Sequence, residues 1–176
     1  MSGRYRQHAY ATGRSLLCRW EYVQGTEASP ALVLPDACVD LLWDGERLRI
    51  AGPDTRAQYA RIAPGRRISG LRFAPGAATR WLGVPLHVLA DQRVDLRDLG
   101  IPRLATLADR MTERDADAMA WLADRIQADT PPRSDAISAV HARLSRARPD
   151  TVAQLAGDAR RLTGLTPTRL IAQVAD

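Results

Sequence analysis

Leu34-Pro-Asp-Ala-Cys-Val-Asp-Leu-Leu-Trp-Asp-Gly-Glu-Arg-Leu-Arg-Ile-Ala51 sets two short apolar runs on either side of Asp44-Gly45. An Asp-Gly step between apolar runs is a hairpin signal, because glycine accepts the positive φ that tight turns demand. Residues 38–43 and 47–51 are therefore read as paired strands. The same texture extends in both directions. Residues 15–23 form an apolar run closed by Gln24-Gly25-Thr26, and residues 31–34 are cut off by Pro35-Asp36. Gly52-Pro53 and Pro64-Gly65 punctuate the next stretch, and residues 67–73 alternate apolar and polar with period two. Many short strands with close turns predict a small antiparallel β-barrel or sandwich.

Beyond Pro75-Gly76 the period changes. Residues 77–82 read as a short helix ended by Gly83 and Pro85. Leu104, Leu107, Ala108 and Met111, then Met119, Leu122, Ala123 and Ile126, fall at helical spacing, with Asp115 between the sets as a cap for the second helix. Thr130-Pro-Pro-Arg-Ser134 is a break, and residues 134–146 carry another apolar face. In the tail, Asp150 or Thr151 caps a helix ending at Gly164, and Thr166-Pro167 opens one more. The expected fold class is α+β, with strands first and helices after.

Composition bounds the function classes. Hydrophobic residues make up 45% of the 176 positions, enough to close a core, and 26% are charged, as in ordinary soluble proteins. All 25 basic residues are arginine, and the formal net charge is +5. A pI near 10.0 favours partners that carry phosphates. No apolar run reaches the length of a membrane span, and the polar N-terminus lacks a signal-peptide core. Two cysteines, Cys18 and Cys38, are too few for a secreted disulfide scaffold, which points to the cytoplasm.

Chemistry-bearing residues are sparse. His8, His87 and His141 stand far apart, without metal-ligand spacing. Asp36, Cys38 and Asp40 repeat every two residues and would share one strand face. They would hold a borderline metal or form the polar floor of a ligand site; alternatively, Asp36 belongs to the Pro-Asp turn, Cys38 to the core, and Asp40 to an ion pair with an arginine. No nucleophile elbow, phosphate-binding glycine loop or His-Glu-x-x-His motif occurs, so the residues favour a non-enzyme with no cofactor and no metal. The arginines of the tail fit either a DNA-facing helical pair or a solvated one whose basic residues favour helix C-termini.

Four stretches, in order, carry a resemblance: residues 34–43, Ala51-Gly-Pro-Asp-Thr-Arg56, Gly70-Leu-Arg-Phe-Ala-Pro-Gly-Ala-Ala78 and Leu82-Gly-Val-Pro85. Over roughly residues 5–100 they resemble the N-terminal sensor domain of AraC/XylS-type transcription regulators. In the tail, Val152-Ala-Gln-Leu-Ala-Gly-Asp-Ala159 resembles the opening helix of that family's second helix-turn-helix, and Arg160-Arg-Leu-Thr-Gly-Leu-Thr-Pro-Thr-Arg-Leu170 resembles its close. Ala159 runs directly into Arg160, where the family has a turn and the recognition helix. A reading head needs two helices and a turn, about twenty residues; residues 150–163 supply one helix.

The resemblance implies a cupin-like sensor at 1–100, a helical linker or dimerisation segment at 101–146 and a shortened DNA-binding remnant at 147–176. It implies a small-molecule effector, a homodimer and DNA as partners. Asp36, Cys38, Asp40, Trp43 and Arg72 are the expected ligand-binding residues. Arg160, Arg161, Thr168 and Arg169 are the expected DNA contacts, chiefly to phosphates. The competing expectation is a stand-alone small-molecule-binding or dimerisation module that does not touch DNA.

Overall fold

The hairpin around Asp44-Gly45 forms as its sequence demands. Asp44 Oδ1 accepts the backbone N–H groups of Glu46 at 3.0 Å and Arg47 at 2.8 Å, and Gly45 takes φ 94°. Burial pushes the Asp44 carboxyl up, but these two N–H donors and the nearby Arg49 outweigh it and hold the group below its ordinary range. The flanking strands pair from Asp40 with Ala51 to Trp43 with Leu48.

The computed structural model describes residues 3–10, 15–27, 30–36, 38–74, 76–114 and 117–130. In chain order the strands are β1 (Arg4–Ala9), β2 (Leu16–Val23), β3 (Ala31–Val33), β4 (Asp40–Trp43), β5 (Leu48–Ala51), β6 (Gln58–Ala60), β7 (Arg67–Phe73) and β8 (Arg93–Asp95). The helices are α1 (Ala77–Leu82), which precedes β8, then α2 (Pro102–Thr112) and α3 (Ala118–Asp129). Six strands form an antiparallel sheet in the order β1-β2-β7-β4-β5-β8, and β3 pairs with β6 as a separate ribbon. The α+β class is as expected. The closed barrel is not: among the described residues β1 and β8 remain the two edges of an open sheet. Closure needs strands long and tilted enough to bring the edges together, and several of these strands are only three or four residues long.

β4, β5 and β7 turn buried apolar residues to one face, whereas β1, β3, β6 and β8 bury none. Leu41, Leu48, Ile50, Leu71 and Phe73 are buried on one face of the sheet and share a single hydrophobic cluster with α1, α2 and α3. Leu104, Leu107, Ala108 and Met111 supply the α2 stripe; Met119, Leu122, Ala123 and Ile126 supply that of α3. Phe73 meets Trp81 of α1 with ring centroids 5.6 Å apart. This shared cluster runs across the boundary expected at residue 100, so α2 and α3 are packed on the sheet. The expected Asp115 cap, the helices expected after residue 133, and Arg160, Arg161, Thr168 and Arg169 lie outside the described residues.

Candidate functional site

The opposite face of the sheet carries charged and polar side chains where the helix-facing side is apolar. Asp40 and Leu42 of β4, Ile68 and Arg72 of β7, Trp20 and Tyr22 of β2 and Tyr5 of β1 project from it into a cavity of about 680 Å³. The β3–β6 ribbon supplies the facing wall, with Leu32, Val33 and Tyr59. That volume is ordinary for a small-molecule site, and so is the combination of apolar walls with a few fixed polar groups.

At the floor, Arg72 grips Asp40 in the two-pronged manner of a guanidinium on a carboxylate. Nε donates to Oδ1 at 3.0 Å and Nη2 to Oδ2 at 2.9 Å, and Nη2 also reaches Asp36 Oδ2 at 2.9 Å. The register explains the meeting, because Asp40 lies directly opposite Arg72 across β4 and β7, and Cys18 lies opposite Arg72 on its other side. Burial raises the Asp40 carboxyl above its ordinary range even though Arg72 works against it. The buried Trp20 indole N–H also favours the ionised carboxylate without meeting the geometry of a full hydrogen bond. Arg72 itself is pushed up, since two carboxylates outweigh its own desolvation.

Asp36 and Cys38 precede β4 instead of lying within it. Asp36 Oδ1 accepts the Cys38 N–H at 3.0 Å, a turn that places both beside Arg72, and the Cys38 thiol donates to the Asp36 carbonyl at 3.6 Å. Burial, opposed by Arg72 and reinforced by the two aspartates, pushes the Cys38 thiol up to about 12. Such a thiol is a poor nucleophile at neutral pH. His87, the other half of a conceivable catalytic pair, sits exposed on the turn Leu86–Leu89 and does not line the cavity.

Four of the five expected ligand-binding residues therefore converge: Asp36, Cys38, Asp40 and Arg72. Trp43 does not. It alternates with Asp40 and Leu42 and packs against the hydrophobic cluster on the helix-facing side.

The cavity also holds residues that sequence reasoning missed. Arg93 of β8 clamps Asp54, with Nη1 to Oδ1 at 2.9 Å and Nη2 to Oδ2 at 2.5 Å. Asp91, at φ 60°, accepts the Thr55 N–H at 2.8 Å and its hydroxyl at 2.6 Å, which lowers its carboxyl. Asp54 stands inside the Gly-Pro-Asp turn, where the signal was legible as a turn alone. Two glycines shape this wall. A Cβ on Gly70 would lie 2.1 Å from the Trp20 indole, and one on Gly52 only 1.7 Å from the Leu89 carbonyl oxygen.

Among the described residues no three His, Cys, Asp or Glu side chains converge as a metal-ligand set. The space a cation would fill between Asp36 and Asp40 holds the Arg72 guanidinium. A second hollow, about 530 Å³, lies along α2 and α3 among Arg110, Arg114, Asp117, Trp121 and Arg125. Its charges are largely spent on neighbours: Arg114 stacks on Trp121 at 4.1 Å and approaches Asp117 at 3.6 Å, and Arg125 meets Asp129 at 2.7 Å. No helix among the described residues is long and apolar enough to cross a membrane.

Residues 15–95, under half of the chain, match a family described as a domain of unknown function (DUF6597). The match covers β2 through β8 and so spans nearly all of the cavity lining. No curated protein and no solved structure matches the chain.

Proposed function

We propose that the chain is an AraC-type transcription regulator whose cavity senses a small-molecule effector, a binding role and not a catalytic one. One observation carries the reading. Three of the four stretches that resemble the AraC/XylS sensor are separate in sequence and meet at the cavity: Asp36, Cys38, Asp40 and Leu42 from the first, Gly52 and Asp54 from the second, Arg72 from the third. Polar residues locked by ion pairs make a preformed floor for a ligand, and the high Cys38 thiol argues against nucleophilic chemistry. In such a regulator the effector acts by binding one arrangement of the molecule better than another. A cytoplasmic homodimer on DNA completes the proposal, with Arg160, Arg161, Thr168 and Arg169 as phosphate contacts.

The test is fluorescence anisotropy of the whole chain on DNA from its own upstream region, titrated with salt and with random-sequence competitor. Binding that survives the competitor supports a regulator that reads sequence. Binding that vanishes with competitor and modest salt leaves only arginine–phosphate attraction. The chain would then be a sensor or dimerisation module without a reading head, and light scattering at several concentrations would decide whether it pairs with itself.

A further inference from the structure

The side chains lining the cavity point to the class of ligand, an inference that rests on the cavity being a ligand site. Each of the six charged groups there is already held by the protein. Arg72 grips Asp40 and Asp36, and Asp36 also accepts the Cys38 N–H. Arg93 grips Asp54, and Asp91 accepts from the Thr55 N–H and hydroxyl. A charged ligand would have to compete with those contacts and shed its own water as well. An uncharged one disturbs none of them.

The apolar lining is in the opposite condition. Leu32 and Tyr59 stand directly opposite each other across the β3–β6 ribbon, 53% and 70% exposed, and Leu34 beside them is 63% exposed. None of the three joins the hydrophobic cluster under the sheet. A two-stranded ribbon is marginal in water by itself, and contiguous exposed apolar surface of this kind marks a binding face. Leu42 and Ile68 line the sheet side of the same cavity. The space between, about 680 Å³, is the size of a small-molecule site. Three of the chain's four tyrosines, Tyr5, Tyr22 and Tyr59, line it with Trp20, so a flat ring finds aromatic surface on both walls.

We propose that the cavity binds an uncharged, ring-bearing apolar molecule. Its ring lies between Leu32 and Tyr59 on the ribbon side and Leu42, Ile68 and Trp20 on the sheet side.

The experiment titrates the full chain by calorimetry with 2-naphthylmethanol, 2-naphthylmethylamine, 2-naphthoate and 1-octanol. Three variants accompany it: Leu32→Asp on the exposed ribbon, Leu42→Trp, which fills the cavity, and Val88→Asp, an exposed apolar position that does not line it. The naphthyl alcohol is expected to bind about tenfold more tightly than the amine, the naphthoate or octanol. Leu32→Asp should weaken it at least about tenfold, Leu42→Trp should abolish it, and Val88→Asp should leave it unchanged. If the amine, the naphthoate or octanol binds as tightly as the naphthyl alcohol, the inference is overturned while the ligand site stands, provided Leu42→Trp removes that binding. Naphthyl alcohol binding that either Leu32→Asp or Leu42→Trp leaves unchanged puts the ring elsewhere and also overturns it. If none of the four binds, the ligand-site reading falls with the inference. Concentration-dependent pairing in light scattering that Leu32→Asp abolishes would then assign the ribbon face to a second copy of the chain.

Discussion

Replacing Arg72 with Met tests whether the cavity floor is held by charge. The substitution keeps a long apolar stem and removes three charge-assisted contacts, two to Asp40 and one to Asp36, all between 2.9 and 3.0 Å. The side chain of Asp40 is 13% exposed and that of Arg72 24%, so solvent can replace little of what Asp40 loses. Breaking a fully buried pair costs about 3–5 kcal/mol; the partial exposure of Arg72 reduces the expectation to about 2–4 kcal/mol at neutral pH. The sign of the pH dependence follows from burial. Asp40 already titrates above its ordinary 3.8 with Arg72 present, and without the guanidinium it must titrate higher still. A carboxyl raised in the folded state favours folding below its unfolded pKa, and that contribution is lost as pH rises through the folded one. Urea unfolding at about pH 8 should therefore show a larger penalty for Arg72→Met than at about pH 5, by up to about 1.4 kcal/mol for each unit the folded pKa has risen. The double variant Arg72→Met/Asp40→Leu should recover most of the loss. A single variant that loses less than about 0.5 kcal/mol, or loses the same at both pH values, would refute the claim that Asp40 depends on Arg72.

Three further expectations are simpler. Gly70→Ala drives a methyl into the Trp20 indole and should cost about 1–3 kcal/mol; unchanged stability in urea, with unchanged tryptophan emission, would mean the ring is not seated there. Leu41→Ala, at a fully buried position of the helix-facing side, should lose about 2–5 kcal/mol, and a loss under about 1 kcal/mol would show that this side is not a packed core. The Cys38 thiol, pushed up to about 12, should react with Ellman's reagent far more slowly at neutral pH than free cysteine and accelerate as pH rises; rapid labelling of a Cys18→Ala chain at neutral pH would contradict a thiol held in its protonated form.

The elements that the sequence made legible were those with a pattern to read. The Asp44-Gly45 hairpin, the period-two strand β7 and the α2 and α3 stripes all announce a buried face through spacing. β1 announces nothing: Arg4-Tyr-Arg-Gln-His-Ala9 is exposed throughout, and it is a strand because β2 offers it an edge to pair with. β6 and β8 are three residues each, too short to show a period. Closure was misjudged because close turns specify hairpins, whereas joining two edges depends on tilt and strand length. At the cavity, Asp36, Cys38 and Asp40 were legible because they are near in sequence. Arg72 was reached through the resemblance, and Trp43 fell on the wrong side because alternation from Asp40 puts it with the helices. Asp54 and Arg93 stand 39 residues apart, and only the fold brings that pair together.

The close passage of Gly52 against Leu89 leaves this side of the molecule without slack. The Gly52 N–H donates to the Gln92 carbonyl at 3.0 Å and the Asp91 N–H to the Pro53 carbonyl at 3.1 Å, so backbone bonds lace two distant stretches together beside the Asp54–Arg93 and Thr55–Asp91 contacts. From there the chain passes through β8, which carries Arg93, and the turn Leu96–Leu99 into α2, with Arg97 tied to Asp109 at 2.8 Å. Asp54 and Arg93 on the cavity wall thus stand at one end of a continuous segment whose other end is a helix packed under the sheet. A push on the wall is passed along the chain toward the start of α2, with Gly100, at φ 68°, the one glycine between Arg93 and that helix.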